Sequence, residues 1–98
     1  MELIPQSLLH TIHDLYETEE NPDPICRVKL FLPSTQWTWY VTELSRQDHN
    51  LCFGYVIGLE CELGYFTLEE LESLQSSLGI SVERDASFQP TPLSKIKC

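Results

Sequence analysis

The sequence predicts a small single α+β domain in the order α-β-β-β-α-β: a three-stranded antiparallel meander and a short last strand, packed with two α-helices. Three observations predict this class. Two segments have apolar residues at helical spacing, three central segments are rich in β-branched and aromatic residues, and short polar connections join those three segments. We expect residues 1–98 to form one acidic domain with an extended tail over residues 90–98.

The first helix is predicted over residues 5–17. Five apolar residues recur there at helical spacing, namely Leu8, Leu9, Ile12, Leu15 and Tyr16. Pro5 suits the first helical turn, whereas Pro22 and Pro24 prevent the helix from continuing.

The second helix is predicted over residues 67–78. Thr67 and Glu70 have the spacing of a capping box, in which each side chain accepts from the backbone N–H of the other residue. Leucines at helical spacing form its buried stripe, and Gly79 ends it.

The strands are predicted from the content of β-branched and aromatic residues. They cover residues 25–32, 37–44, 51–60 and, as a short last strand, 80–83. Residues 86–98 carry Pro90 and Pro92 and are expected to run as an extended tail anchored by Phe88 and Leu93.

Charge narrows the classes of partner. The chain has 15 acidic and 6 basic residues, a formal net charge of −9, and no Lys or Arg in residues 1–24. Such a surface repels phosphate backbones and anionic membranes, so we expect neither direct nucleic-acid binding nor membrane binding. It favours a protein partner with a basic surface, although solubility alone explains the charge equally well.

The cysteines and the start of the chain favour a cytoplasmic protein. The four cysteines are scattered without a closely spaced pair, and the first residues lack the pattern of a signal peptide. We therefore expect reduced thiols and no bound metal or cofactor.

Several blocks of sequence resemble a known bacterial family. They occur in order: Asn21-Pro22-Asp23-Pro24, Trp37-Thr38-Trp39-Tyr40 with Glu43, Phe53-Gly54-Tyr55-Val56, Glu60-x-Glu62-Leu63-Gly64-Tyr65-Phe66, and Glu83-Arg84-Asp85 followed by Phe88-x-Pro90-x-Pro92-Leu93. The chain is similar to the domain-of-unknown-function family numbered 2958, whose members are typical of plasmids and other mobile elements. The resemblance implies no activity, cofactor or catalytic residue.

A carboxylate cluster is the first candidate site. Its predicted members surround the ends of the central strands: Glu43, Glu60, Glu62, Glu83 and Asp85, with Arg84 among them. Gathered carboxylates can bind a divalent cation or supply an acid and a base. The alternative is structural, with Arg84 pairing with the carboxylates and fixing the tail to the sheet.

An aromatic and acidic surface is the second candidate. It comprises Trp37, Trp39, Tyr40, Glu60, Glu62 and Tyr65. Trp37 and Trp39 lie on one strand face and Tyr40 on the other, so the tryptophans either pack in the core or form an exposed recognition or dimer surface.

The leading functional hypothesis is a non-catalytic, acidic protein-interaction module of a mobile element. It would act in regulation or against a defence system by occupying the basic, nucleic-acid-binding surface of a partner, as a monomer or homodimer. The sequence has no nucleophile elbow and no phosphate-binding loop, which argues against an enzyme. The alternative is a metal-dependent enzyme or small-molecule-binding domain that uses the carboxylate cluster.

Overall fold

The computed structural model describes residues 3–75 and 78–96. Its α-helices are Gln6–Leu9 (α1) and Leu68–Ser73 (α2), and a 3-10 helix spans Leu93–Lys95. Its strands are Ile25–Cys26 (β1), Val28–Phe31 (β2), Thr38–Leu44 (β3), Leu51–Ile57 (β4), Cys61–Thr67 (β5), Glu83–Arg84 (β6) and Thr91–Pro92 (β7).

The predicted three-stranded α+β fold is wrong, because the described part of the chain is mostly sheet. Five strands form an antiparallel sheet in the order β5-β4-β3-β2-β6, and β1 pairs with β7 in a separate two-stranded sheet. The two α-helices of the described residues are only 4 and 6 residues long. Neither is long and apolar enough to cross a lipid bilayer.

Strand β5 is the element that the sequence prediction missed. The predicted third strand over residues 51–60 ends at Ile57, and the chain then turns, with the N–H of Gly58 donating to the carbonyl of Glu60 at 2.9 Å. From there β5 pairs with β4 along the full length of both strands. Because β5 is an edge strand with most side chains at least partly exposed, it lacks the apolar alternation of a half-buried strand.

The predicted first helix is wrong beyond its first turn. Helix α1 contains four residues, and residues 10–20 form successive turns. Hydrogen bonds to β3 hold these turns: the N–H of Leu44 donates to the carbonyl of His13 at 2.8 Å. Of the five apolar residues of the predicted stripe, Ile12 is fully buried, whereas Tyr16 is 62% exposed.

The second helix begins as predicted and ends early. Both hydrogen bonds of the capping box form, with the N–H of Glu70 donating to Thr67 Oγ1 at 3.1 Å and the N–H of Thr67 donating to Glu70 Oε1 at 2.8 Å. The helix ends at Ser73, because Leu74 is extended and Gln75 forms a bridge with Ser81. Residues 76 and 77 of the predicted helix lie outside the described residues.

The first and last predicted strands are also different from those observed. Residues 25–32 divide between two sheets: β1 pairs with β7, whereas β2 pairs with β3 and β6. The strand predicted over residues 80–83 corresponds to β6, which begins at Glu83, and the predicted extended tail contains a further strand, β7, and the 3-10 helix. The tail is docked through Phe88, whose ring centroid lies 5.7 Å from that of Tyr40, and through the buried Leu93.

Both faces of the main sheet are covered at least in part. The first face carries Trp39 and Val41 and forms the larger core with residues before β1, with α2 and with Val82. The second face carries Tyr40 and Tyr55 and packs against the C-terminal segment. Towards β5 the second face is open, and the candidate site lies there.

Candidate functional site

A groove of about 330 Å³ lies on the second face, between the turns after α1 and the hairpin of β4 and β5. Large apolar side chains line it and remain accessible: Tyr16 is 62% exposed, Tyr65 54% and Leu63 46%. Glu43 and Phe53 also contribute to its lining. We call this feature the tyrosine groove.

A β-bulge places Glu43 on the second face. The pairing of β3 with β4 shifts between Val41, which faces Gly54, and Glu43, which faces Phe53. The residue between them is Thr42, whose hydroxyl donates to the carbonyl of Phe53 at 2.9 Å. Since directly paired residues share a face, this extra residue moves Glu43 to the side of Phe53 and keeps Leu44 in the larger core.

The Glu43 carboxylate fixes the turns that form one wall of the groove. Glu43 is 3% exposed, and its two oxygens accept the N–H of Tyr16 and the N–H of Thr18, each at 2.9 Å. The Thr18 hydroxyl donates to the same carboxylate. A buried carboxylate is costly unless it is hydrogen-bonded, and these three donors meet that need.

Tyr16 has a backbone conformation that residues other than glycine rarely adopt. Its φ is 71°, in the left-handed region, and its N–H is one of those bound by Glu43. Strained backbone of this kind persists only where the surroundings impose it and is concentrated at functional sites. The result is an aromatic side chain directed over the groove.

The two tyrosines act together. A hydrogen bond between the Tyr16 and Tyr65 side chains raises the pKa of Tyr65, and burial and the nearby charges of Glu43 and Glu19 raise it further. The Tyr65 phenol is therefore neutral at physiological pH. The Tyr65 ring also packs on Phe53, with centroids 4.9 Å apart.

The surroundings of the groove are acidic. Glu19 belongs to its lining, and none of the described residues that line it is Lys, Arg or His. Glu17, close by in sequence, pairs with His13 at 3.4 Å and with Arg46 at 3.7 Å. The groove thus combines accessible aromatic faces with carboxylates.

The predicted aromatic surface is divided between the two faces of the sheet. The rings of Trp37 and Trp39 stack on the first face, 5.9 Å apart, and line an apolar pocket of about 440 Å³ beside α2. Trp39 is buried, as the core alternative proposed. Tyr40 lies on the second face, against Phe88 and with Lys29 Nζ 6.0 Å from its ring centroid.

The remaining predicted surface residues lie around the hairpin of β4 and β5. Tyr65 lines the tyrosine groove. Glu60 is exposed in the turn, and Glu62 is exposed on β5 opposite Val56. Because Tyr65 pairs with Phe53 and Glu62 is three residues away, Glu62 and Tyr65 project from opposite faces of β5.

The predicted carboxylates are not brought together. Glu62 lies on β5, while Glu83 and Arg84 lie on β6, at the opposite edge of the sheet. Four strand spacings separate those edges by about 19 Å. Asp85 follows β6 and pairs with Lys29 at 3.7 Å. Within the described residues, no group of three His, Cys, Asp or Glu side chains is arranged to hold a metal ion.

The cysteines occupy different environments. Cys26 and Cys52 are free and buried, and burial raises the pKa of each thiol to about 12, which leaves them poor nucleophiles. Cys61 is part of a disulfide bond, so the expectation of four reduced thiols is wrong for this residue. Cys98 lies outside the described residues.

Tyr16, Thr18 and Leu63 belong to the groove and were not among the predicted site residues. Tyr16 was assigned to the buried stripe of a helix that does not form. The alternation of Leu63 and Tyr65 around Gly64 was the available signal, because residues two apart project from the same face of a strand.

Comparison with curated proteins and with solved structures found no match. A family model described as "Protein of unknown function (DUF2958)" matches residues 3–96, nearly the whole chain, and this confirms the resemblance found in the sequence. The chain therefore belongs to the DUF2958 family.

Proposed function

We propose that the chain is a non-catalytic protein-interaction module whose tyrosine groove binds a basic segment of another protein. The observation that carries the proposal is the convergence of three exposed apolar side chains on one groove without a basic lining residue among those described. Large exposed apolar side chains that gather in a concave surface are typical of recognition sites.

The chemistry of the groove selects a cationic occupant. Aromatic faces attract Lys and Arg side chains by cation–π interaction, and Glu19 contributes a carboxylate to the same lining. The net charge of −9 adds long-range attraction for a basic partner and speeds its association. An apolar residue of the partner beside its cationic one would contact Leu63.

Glu43 contributes to recognition by positioning and not by direct pairing. Its oxygens are occupied by the N–H groups of Tyr16 and Thr18 and by the Thr18 hydroxyl. The exposed members of the site are the tyrosines, Leu63 and the surrounding glutamates. This division of roles favours a binding surface over an acid–base site.

The biological part of the proposal is the one drawn from the sequence. A basic segment of a nucleic-acid-binding protein is a fitting occupant, and covering it would block that protein. The resemblance found in the sequence implies an origin on mobile elements, and such an origin would fit a regulatory or anti-defence role. The alternative of a metal-dependent enzyme gains no support from the geometry, since its carboxylates are spread across the sheet from β5 through β3 to β6.

Binding of short synthetic peptides tests the proposal. Peptides that combine Lys or Arg with one aromatic or aliphatic residue are expected to bind, and more weakly as ionic strength rises. The variants are Leu63→Ala and the matched control Leu59→Ala, since Leu59 is an exposed leucine of the same hairpin that does not line the groove. Leu63→Ala is expected to raise Kd about tenfold, and Leu59→Ala to leave it unchanged.

Two results would count against the proposal. One is the absence of binding by any basic peptide, whether or not acidic peptides of the same length bind. The other is an equal loss of affinity in Leu63→Ala and Leu59→Ala, which would place the contact outside the groove.

A further inference from the structure

A second cleft, of about 270 Å³, lies at the edge of the sheet opposite β5. Two arginines, Arg27 and Arg84, belong to its lining, together with residues of the segment after β6 such as Phe88 and Gln89. We call it the arginine cleft. It is separate from the tyrosine groove, with which it shares no lining residue.

Neither arginine has an acidic partner within the part of the chain that the structure describes. The ion pairs found there involve His13, Lys29 and Arg46, and none involves Arg27 or Arg84. This is unexpected in a chain with 15 acidic and only 6 basic residues. Both arginines that line this cleft are thus outside the ion pairs of the described residues, although the chain is rich in carboxylates.

Arg27 also has a buried donor without a partner. Its Nε atom is shielded from solvent and makes no hydrogen bond with the described residues. Leaving a buried charged donor unsatisfied costs more than leaving a neutral one, so such a group usually meets a partner or belongs to a site. The backbone of Arg27 is fixed to β3, because its N–H donates to the carbonyl of Val41 at 2.9 Å.

The acidic residue that lines the cleft is already occupied. Asp85 Oδ1 accepts the N–H and the hydroxyl of Ser87 at 3.0 and 2.7 Å, and Oδ2 lies 3.7 Å from Lys29 Nζ. Both oxygens of the Asp85 carboxylate are therefore already bound, one by Ser87 and one by Lys29. Arg84 is held beside it, since β6 pairs with β2 through Leu30 and Arg84.

We infer that the arginine cleft binds a phosphate group, either as inorganic phosphate or as a phosphate monoester. Guanidinium groups bind oxyanions through paired N–H donors, and two of them match the charge of a phosphate dianion. Gln89 adds an amide to the lining, whereas the Thr11 hydroxyl already donates to the carbonyl of Leu8 at 2.7 Å. The inference goes beyond the proposed protein-binding function and does not depend on it.

The test is binding of inorganic phosphate to the full chain by isothermal titration calorimetry, at constant ionic strength set with chloride. Phosphoserine, a phosphate monoester, and acetate, a carboxylate, are titrated in the same way. The variants are Arg27→Gln and Arg84→Gln, and the matched control is Arg46→Gln, an exposed arginine outside the cleft. Each cleft variant is expected to weaken phosphate binding about tenfold or more, and the control to bind like the wild type.

If Arg27→Gln does not fold, Arg84→Gln still tests the inference. We expect that variant to fold, because Arg84 lies on an edge strand of only two residues. Tighter binding of phosphoserine than of inorganic phosphate identifies a monoester site, and the reverse order identifies a free phosphate site. No phosphate binding by the wild type overturns the inference. Equal weakening in Arg46→Gln and Arg84→Gln also overturns it, because the effect would then follow net charge alone.

Discussion

The two candidate sites each contain buried atoms of a charged side chain, and the hydrogen bonding of those atoms differs. In the tyrosine groove, the Glu43 carboxylate accepts two backbone N–H groups and the Thr18 hydroxyl. In the arginine cleft, Arg27 Nε has no partner within the described residues, and its guanidinium is in no ion pair. A hydrogen-bonded buried carboxylate stabilises the turns around it, whereas a guanidinium outside any ion pair can still bind an oxyanion.

The largest expected effect is the loss of stability in Glu43→Ala. The N–H groups of Tyr16 and Thr18 would lose their acceptor, and that of Thr18 would stay buried, so we expect the free energy of unfolding to fall by about 3 kcal/mol. Urea denaturation measures it. Glu62→Ala, at an exposed glutamate, is the control and should change stability by less than about 0.5 kcal/mol. A loss below about 1 kcal/mol in Glu43→Ala would contradict the stabilising role of the Glu43 carboxylate.

Gly58→Ala tests how the hairpin that carries Leu63 and Tyr65 is held. A Cβ at position 58 would overlap the ring of Trp37, so we expect a loss of about 1–3 kcal/mol from overpacking. Gly64→Ala is the control within the same hairpin, because a Cβ there meets nothing within 4 Å. Equal urea midpoints for the two variants would show that Trp37 does not fix the hairpin.

Arg27→Met should have a smaller effect on stability than Glu43→Ala. Methionine keeps most of the length of the side chain and removes the unsatisfied donor, so the free energy of unfolding should change by less than about 1 kcal/mol in either direction. The same variant should lose stabilisation by phosphate in thermal melts. A loss above about 2 kcal/mol without phosphate would mean that Arg27 is structural, as Glu43 is.

The smallest effect is expected from Asp85→Asn. The hydrogen bonds from Ser87 and the charge of Lys29 lower the pKa of Asp85 below its ordinary value of 3.8. Stability contributed by the ionised carboxylate is therefore present above pH 3.8 and is lost as pH falls through the lowered pKa. Acid titration of the wild type should show this loss, and Asp85→Asn should lack it.

Asp85→Asn also sharpens the electrostatic side of the comparison. Removing an acidic group from the lining of the arginine cleft should tighten phosphate binding about two- to threefold. The tyrosine groove should bind basic peptides as before. Weaker phosphate binding would show instead that Asp85 positions the arginines.

Local sequence predicted those parts of the fold that local interactions determine. The capping box of Thr67 and Glu70 lies within four residues and forms as predicted. The predicted strands over 37–44 and 51–60 correspond to β3 and β4, because their aromatic and β-branched residues fill the two faces of the sheet.

The remaining elements depend on distant partners. Residues 10–20 are not helical because β3 supplies their hydrogen bonds, from a position about 30 residues further along the chain. The bulge that moves Glu43 to the second face is likewise a property of the pairing with β4. The carboxylate cluster was predicted on the assumption that its strand ends are adjacent. Its members are separated because β5, which was not predicted, lies at one edge of the sheet and β6 lies at the other.

The most direct test of the two-site account is an amide NMR titration of the isotopically labelled wild-type chain, first with a basic peptide and then with phosphate. We expect two separate sets of shifted resonances. The peptide should move amides of Tyr16, Leu63 and Tyr65, and phosphate should move those of Arg27 and Arg84. Peptide and phosphate shifts on the same residues, or peptide shifts on the arginine cleft alone, would contradict it.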